Sequence, residues 1–207
     1  MKILVTLSGG LDSVGVLYKA LTDPAYQDYG IVVHHVHFIN RENRAHAEHI
    51  AVENVLNYFK SRPDQYRQLE YSESVLQVPE TETNGMFDSD ATSFIASYIC
   101  RITPEIKEVH YGTTASDSDG SPMREQYLTD RKRIGATMVE LFAPSVKRKY
   151  LVNDMTKKEI FDMLPPELSA MAWSCRTPIY DEGTPLECGQ CKTCQQMSEI
   201  RDLRRSR

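Results

Sequence analysis

The sequence lacks several features that mark whole classes of proteins. None of its apolar runs approaches the ~20 residues that a membrane-spanning helix needs. It does not open with the basic region, long apolar stretch and cleavage site of a secretion signal. With 24 Lys and Arg against 29 Asp and Glu, and a net charge of −5, it has no basic excess for binding nucleic acid. We therefore expect a cytoplasmic protein with no membrane partner and no strong nucleic-acid signal.

Two common nucleotide-binding motifs are also missing. There is no Gly-x-x-x-x-Gly-Lys-Ser/Thr loop, and no Gly-x-Gly-x-x-Gly follows a predicted strand. Cysteine is scarce as well: five cysteines occur in 207 residues, and four of them lie in the last third. That distribution does not fit a secreted protein held together by disulfides. The sequence thus excludes the usual kinase-type and dinucleotide-type phosphate loops.

A different phosphate-binding motif is present near the start of the chain. The apolar run Ile3–Leu7 predicts a buried strand, and an apolar-periodic helix begins near Asp12. Between them stand Ser8, Gly9 and Gly10. Two glycines at a strand-to-helix turn let the backbone approach a ligand closely, and the helix N-terminus favours an anion. The string Ser-Gly-Gly-Leu-Asp-Ser therefore predicts a phosphate site.

We assign chemical roles within this string from the residue types. Ser8 and Ser13 offer hydroxyl donors, and Asp12 can cap the helix or hold a Mg²⁺ ion that balances phosphate charge. These three residues are the candidate catalytic residues. The whole loop is the candidate nucleotide-binding set, which comprises Leu7, Ser8, Gly9, Gly10, Leu11, Asp12 and Ser13.

Predicted strands alternate with predicted helices along the chain, which is typical of a doubly wound α/β fold with a parallel sheet. After the first strand, further strands are predicted at 31–38, 67–71, 108–112 and 140–145, and a helix at 86–102. The polar stretch 72–85 is predicted to be a loop, and its part 79–85 is expected either to be mobile or to act as a lid. We expect a nucleotide-binding α/β domain over 1–165 and a cysteine-containing segment over 166–207.

Residues at the carboxyl ends of the predicted strands are further candidates for ligand binding. In an open parallel sheet these ends line the ligand crevice, so His37 and the loop from Gly112 to Asp117 are expected near the nucleotide. On a strand, His35 and His37 share one face and His34 takes the other, so they do not converge as a metal site. The charge run 131–133 is interpreted as a solvated helix face.

The second strong motif is a cysteine cluster near the C-terminus. Twelve residues separate Cys175 from Cys188, and two residues separate each later pair of Cys188, Cys191 and Cys194. Four thiolates at such spacings suit a tetrahedral structural zinc ion with no open position for catalysis. An iron–sulfur cluster is the competing interpretation, because Cys-x-x-Cys-x-x-Cys also occurs there. Cys100 stands alone in an apolar helix and is expected in the core.

Both motifs together resemble a known family. The Ser8–Ser13 loop is similar to the PP-loop of the ATP pyrophosphatases, and its combination with Trp173-Ser174-Cys175 and Cys188–Cys194 resembles the 7-cyano-7-deazaguanine synthase (QueC) family. The resemblance implies the PP-loop fold, ATP with Mg²⁺, structural Zn²⁺, and a deazapurine substrate with ammonia. In that family 7-carboxy-7-deazaguanine is adenylated and converted to the amide and then the nitrile, with release of AMP and pyrophosphate.

The sequence also departs from that family. Gly112, Asp117, Gly120 and Pro122 match its Gly-x-Asn-x-x-Asp-x-x-Gly-x-Pro stretch, but Met123-Arg124-Glu125 replaces Asp-Cys-Arg. Asp88 stands where an Arg-Asn pair usually opens the middle helix. An acidic residue there would repel a carboxylate substrate, unless Arg124 restores the charge.

Three hypotheses follow from the motifs and the departures. The chain is a divergent deazaguanine synthase, a PP-loop ligase or amidotransferase with another acceptor such as a macromolecule, or a non-catalytic nucleotide-binding module. The sequence leaves a homodimer open.

Overall fold

Five parallel strands form the central sheet. The computed structural model describes residues 1–77, 88–118 and 120–205. In these ranges the strands stand in the order β3-β2-β1-β4-β5, and every neighbouring pair is parallel. Their bounds are Lys2–Thr6 (β1), Gly30–Ile39 (β2), Leu69–Gln77 (β3), Ile106–His110 (β4) and Lys147–Lys149 (β5). The predicted doubly wound α/β class is confirmed.

Helices cover both faces of this sheet. Their bounds are Leu11–Thr22 (α1), Ala45–Lys60 (α2), Asp88–Ile102 (α3), Pro122–Phe142 (α4), Lys157–Met163 (α5), Pro166–Met171 (α6) and Lys192–Arg205 (α7). A two-stranded antiparallel hairpin, Ile179–Asp181 (β6) and Thr184–Leu186 (β7), precedes α7. A capping box of Thr156 and Glu159 opens α5, in which each side chain accepts from the backbone N–H of the other residue.

The alternation of side chains along β1 divides the core into two layers. Ile3 and Val5 pack into one cluster with α1, α2, α5, α6 and α7, while Leu4 packs into the other with α3 and α4. Both faces of the strand are therefore apolar, which is why the sequence shows a continuous apolar run rather than an alternating one. Cys100 is buried in the second cluster, as expected.

The strand order creates a crevice at one edge of the sheet. The chain moves outward from β1 to β2 and β3, and then crosses back to place β4 on the other side of β1. The loops that follow β1 and β4 therefore diverge to opposite faces at the carboxyl edge. Ligands of open α/β sheets bind at such a switch point. The Ser8–Gly10 loop and the loop from Gly112 lie on its two sides.

Two predicted boundaries in the sheet were wrong. Residues 140–145 were expected to form the last strand, but α4 continues to Phe142 and the last strand is the polar β5. Edge strands need little apolar content, so the apolar run Leu141–Ala143 was misleading. Residues 72–77 were predicted as loop and belong to β3, which is paired with β2 along its whole length. The proposed lid at 79–85 lies outside the described residues.

The C-terminal segment contributes to the same core as the α/β body. Leu168 of α6 is fully buried, and Met197 and Ile200 of α7 join it in the cluster that contains Ile3 and Val5. The predicted domain boundary at 165/166 falls between α5 and α6. Among the described residues, no helix combines the length and the apolar character needed to cross a membrane.

Replacing Leu168 with Ala is expected to lower the free energy of unfolding by about 2–5 kcal/mol, because it leaves a cavity between the C-terminal segment and the sheet. The matched control is Leu186→Ala on the exposed hairpin, which is 47% exposed and should cost far less. Urea denaturation followed by circular dichroism measures both. Equal, small losses would show that the segment does not share the core.

Candidate active site

A closed hydroxyl network shapes the loop between β1 and α1. The backbone N–H of Ser8 donates to Ser13 Oγ at 3.2 Å, and Ser13 Oγ donates to the Gly10 carbonyl at 3.0 Å. Ser8 Oγ lies 3.1 Å from Ser13 Oγ and accepts from the Gly10 N–H at 3.4 Å. Gly10 is the N-cap of α1 and offers no side-chain cap. The first N–H groups of α1 therefore remain for a bound anion.

Gly9 is required by both its backbone angle and its surroundings. Its φ of +76° is in the left-handed region, which costs other residues about 1–3 kcal/mol. A Cβ at this position would lie 2.9 Å from the Cβ of Ala51 and 3.0 Å from the carbonyl oxygen of Glu48, both on α2. The loop can pack this closely against α2 only because Gly9 has no side chain.

Gly112 makes the corresponding close approach from the β4 side. A Cβ there would lie 3.0 Å from the backbone nitrogen of Ser13 and 3.1 Å from the carbonyl carbon of Asp12. These are atoms of the first turn of α1, which cannot move without moving the phosphate site. Gly112 thus fixes the loop after β4 against the N-terminus of α1.

Asp12 is the one acidic residue of the Leu7–Ser13 loop, and its pKa is raised. Burial raises its pKa to about 6, Lys157 opposes this effect from 3.6 Å, and Asp117 adds to it. Its Oδ1 atom is buried and has no hydrogen-bond partner among the described residues. A buried carboxylate oxygen beside an anion-binding loop fits a Mg²⁺ ligand, since Mg²⁺ takes one or two carboxylates together with phosphate oxygens.

The loop opens into a cleft of about 430 Å³, within the size range of small-molecule sites. Seven of the ten predicted nucleotide-binding residues line it: Leu7, Ser8, Gly10, Asp12, Ser13, Gly112 and Asp117. Gly9 instead faces α2, and Leu11 is buried in the core. The tenth, His37, does not line the cleft, because it belongs with His35 on the opposite face of the sheet.

Aromatic and basic side chains from later in the sequence complete the cleft. Phe38, Tyr111, Tyr127 and Tyr150 supply ring surfaces, and Arg131, Lys132 and Arg148 supply positive charge. Arg148 lies over the rings of Tyr111 and Tyr150, 5.3 and 5.2 Å from their centroids. The sequence-based interpretation of 131–133 as a solvated face was wrong for Arg131 and Lys132. It holds for Arg133, whose side chain is 77% exposed.

Asp88, the acidic residue that departs from the family pattern, is held in ion pairs. Asp88 is paired with the buried Arg44 and lies 3.6 Å from Arg176. Arg44 also pairs with Glu42 and Glu48. Its pair with Asp88 ties the start of α2 to the start of α3. Arg124 does not line the cleft in this structure, and its Nε donates to the Asp117 carbonyl at 2.7 Å. Positive charge in the cleft comes instead from α4 and β5.

The four C-terminal cysteines converge without forming disulfides. Their sulfur atoms all lie within 4.8 Å of one another, and Cys188 Sγ is 3.9 Å from Cys194 Sγ. Backbone N–H groups of Cys188 and Cys191 donate to the sulfurs of Cys175 and Cys188, each at 3.3 Å. A hydrogen bond from Thr177 lowers the pKa of Cys188. The group is arranged as a metal site, as its spacing predicted.

Three histidines form a second group of candidate metal ligands, which the sequence did not predict. One ring nitrogen of each of His35, His37 and His49 lies within 4.8 Å of one nitrogen of the other two. The expectation that histidines do not converge concerned His34, His35 and His37 of β2, and it holds for His34, which lines the cleft on the other face of the sheet. The third member of the group, His49, comes from α2. The spacing of His35 and His37 was visible in the sequence, but which helix covers them was not.

The cysteine group is connected directly to the phosphate loop. The backbone N–H of Trp173 donates to the Gly9 carbonyl at 2.8 Å, and its indole N–H donates to the Cys175 carbonyl at 3.0 Å. Arg176, next to Cys175, reaches the cleft. The cysteine segment therefore contacts the Ser8–Gly10 loop through Trp173.

The fold is a doubly wound α/β sheet with the Ser8–Ser13 loop at its switch point. A solved structure of the U34-tRNA thiolase NcsA from Methanococcus maripaludis with its [4Fe-4S] cluster is similar to this chain, with a TM-score of 0.51 and 16% sequence identity. The match covers 98% of this chain and 65% of that one, so the chain spans about two thirds of the thiolase. No family model matches the sequence, and no curated protein matches it.

Replacing Gly112 with Ala is expected to weaken ATP binding about tenfold or more, since an added Cβ pushes on the first turn of α1 at a cost of about 1–3 kcal/mol. Gly30→Ala, at the opposite edge of the sheet, is the control, because its Cβ would meet mainly the flexible Lys2 side chain. Isothermal titration calorimetry measures both affinities. An unchanged affinity in Gly112→Ala would contradict the assigned role of this contact.

Proposed function

We propose that this protein is an enzyme that activates an acceptor oxygen by adenylation with ATP and releases pyrophosphate. The observation that carries the proposal is the Ser8–Ser13 loop, closed by its own hydroxyls around the N-terminus of α1. The β- and γ-phosphates would bind its N–H groups, and Lys157 would add positive charge. A magnesium ion on Asp12 would supply further charge neutralisation for the leaving pyrophosphate.

The reaction then needs an acceptor oxygen aligned with the α-phosphorus. An acceptor carboxylate attacks that phosphorus, the bond to the bridging oxygen of pyrophosphate breaks, and an acyl adenylate forms. Ammonia then attacks the carbonyl carbon, and AMP leaves with the oxygen that it activated. Arg131, Lys132 and Arg148 line the cleft and would orient the carboxylate, while Tyr111 and Tyr150 offer faces for a flat heterocycle.

For the acceptor we propose 7-carboxy-7-deazaguanine, which the step above converts to the amide. A second ATP would then adenylate the amide oxygen with release of pyrophosphate, and loss of AMP and of the two amide protons would leave the nitrile, 7-cyano-7-deazaguanine. Both sequence motifs support this choice. The ion pairs of Asp88 with Arg44 and Arg176 reduce its repulsion of a substrate carboxylate. The second candidate is an acceptor on a macromolecule, which the tRNA thiolase similarity favours. The net charge of −5 counts against RNA as the main partner.

For the cysteine group we propose one structural Zn²⁺ ion. Four sulfurs around a single zinc at about 2.3 Å lie about 3.8 Å apart, close to the 3.9 Å between Cys188 and Cys194. In a [4Fe-4S] cluster each cysteine binds a different iron, which separates the sulfurs further. The ion would hold the segment that contacts Gly9 through Trp173.

The activity is tested with purified protein, ATP, Mg²⁺, ammonium and 7-carboxy-7-deazaguanine, with mass spectrometry of the products. We expect amide and nitrile with AMP and pyrophosphate. Ser13→Ala should reduce turnover at least tenfold, since it opens the loop network.

Ser61→Ala, which removes a hydroxyl at the end of α2 far from the cleft, should keep full turnover. If ATP binds but neither product appears, the deazaguanine acceptor is wrong, and the same assay with tRNA tests the alternative. Binding without pyrophosphate release from any acceptor would indicate a non-catalytic module.

The metal is tested by elemental analysis and absorption spectroscopy of protein purified without oxygen. We expect zinc, no iron, and no visible absorption of a cluster. Cys191→Ser should release one zinc per chain and lower the melting temperature, whereas Cys100→Ala, outside the group, should retain it. Iron with inorganic sulfide would overturn the zinc assignment.

A further inference from the structure

The three histidines behind the phosphate loop have the layout of a ligand set. His35 and His37 lie two residues apart on β2 and point to the same face, where α2 carries His49. The ring centroids of His35 and His37 are 4.5 Å apart, and those of His37 and His49 are 4.8 Å apart. Two adjoining elements thus bring three imidazoles together, in the spacing range from which small ring rotations reach a shared ion.

Two of the three histidines have their outer nitrogen hydrogen-bonded to an acceptor, and the third has a carboxylate nearby. His35 Nδ1 lies 2.8 Å from the Leu7 carbonyl, and a carbonyl only accepts, so this nitrogen carries the proton. His37 Nε2 lies 3.1 Å from Glu73, and His49 Nε2 lies 3.7 Å from Glu53. Carbonyl and carboxylate partners on the outer nitrogen are the usual support of metal-binding histidines.

The inner nitrogens are left with their lone pairs available. Within the described residues, His35 Nε2 and His49 Nδ1 are buried and have no hydrogen-bond partner. His35 itself is completely buried. An unsatisfied buried ring nitrogen is costly, and two that face the same small space point to a ligand that would bind both. Because His37 Nε2 faces Glu73, Nδ1 is the nitrogen that His37 would offer as the third donor.

We propose that His35 Nε2, His37 Nδ1 and His49 Nδ1 bind a divalent transition-metal ion, with Zn²⁺ as the favoured ion. Three imidazole nitrogens suit zinc and its late first-row neighbours, whereas Mg²⁺ and Ca²⁺ take oxygen ligands. Nitrogens that share a tetrahedral zinc lie about 3.3 Å apart. In the structure one nitrogen of each ring lies within 4.8 Å of one nitrogen of the other two, so metal binding would require the partly exposed rings of His37 and His49 to rotate toward the ion.

The site is separate from both sites described above. It lies on the face of the sheet opposite the cleft, whose β2 lining consists of His34, Val36 and Phe38. It is nevertheless next to the phosphate loop, because His35 bonds the carbonyl of Leu7, the residue before Ser8. An ion here would fasten α2 to β2 where α2 also supports Gly9. Its role would be to hold the wall of the phosphate site.

The test is metal stoichiometry and Co²⁺ binding in tag-free protein with the cysteine group intact. We expect a second equivalent of metal, and a Co²⁺ spectrum with d–d bands but without thiolate charge transfer. The double variant His37→Ala and His49→Ala should lose that equivalent and those bands. Glu73→Gln should weaken Co²⁺ binding about tenfold or more.

His46→Ala is the matched control, since His46 stacks on Tyr180 outside the group and its loss should leave the stoichiometry unchanged. Circular dichroism checks that every variant is folded, so that metal loss is not read from an unfolded chain. The proposal is overturned if the folded wild-type protein binds no second ion, or if the double variant binds as much as the wild type. The histidines would then serve only as packed side chains.

Discussion

The close approach of the phosphate loop to α2 is the constraint on which the rest of the site depends. Gly9 has a left-handed backbone angle and leaves no room for a Cβ between the loop and α2. Its carbonyl accepts from Trp173 of the C-terminal segment, two residues before Cys175. One residue thus meets α2 on one side and the C-terminal segment on the other, so the position of the loop depends on both.

Charge in the cleft is distributed in a way that favours an anionic ligand despite the acidic chain. The carboxylates at the entrance are engaged: Asp88 with Arg44 and Arg176, and Glu48 with Arg44. Arg44 and Glu48 are both buried, and a buried pair contributes little net stability but strongly resists loss of one partner. Of the cations on α4 and β5, Arg131 is paired with Asp90 of α3. Lys132 and Arg148 hydrogen-bond to neutral groups, so their charge remains for a phosphate or carboxylate in the cleft.

The two candidate metal groups act at different distances from the loop and through different chemistry. The cysteine group offers thiolates and holds the C-terminal segment through Trp173, whereas the histidine group offers imidazoles directly behind Leu7. Both would stabilise the surroundings of the nucleotide without entering the cleft. Such support is what a phosphate site needs, because its N–H groups must keep fixed positions while charge moves on the ligand.

The sequence by itself determined the features that depend on local chemistry. Neighbouring residues specify each of these features. The apolar run before Ser8 specifies a strand, the two glycines a turn, Thr156 a helix start, and the spacing of Cys175 and Cys188 a ligand set. Which helices and strands face one another was decided only by the tertiary structure. His49 meets His37, and Arg131 enters the cleft, because the strand order places α2 and α4 on opposite faces of the sheet. Hydrophobic periodicity shows which side of an element is buried but not which element covers it, so these contacts could not be read from the sequence.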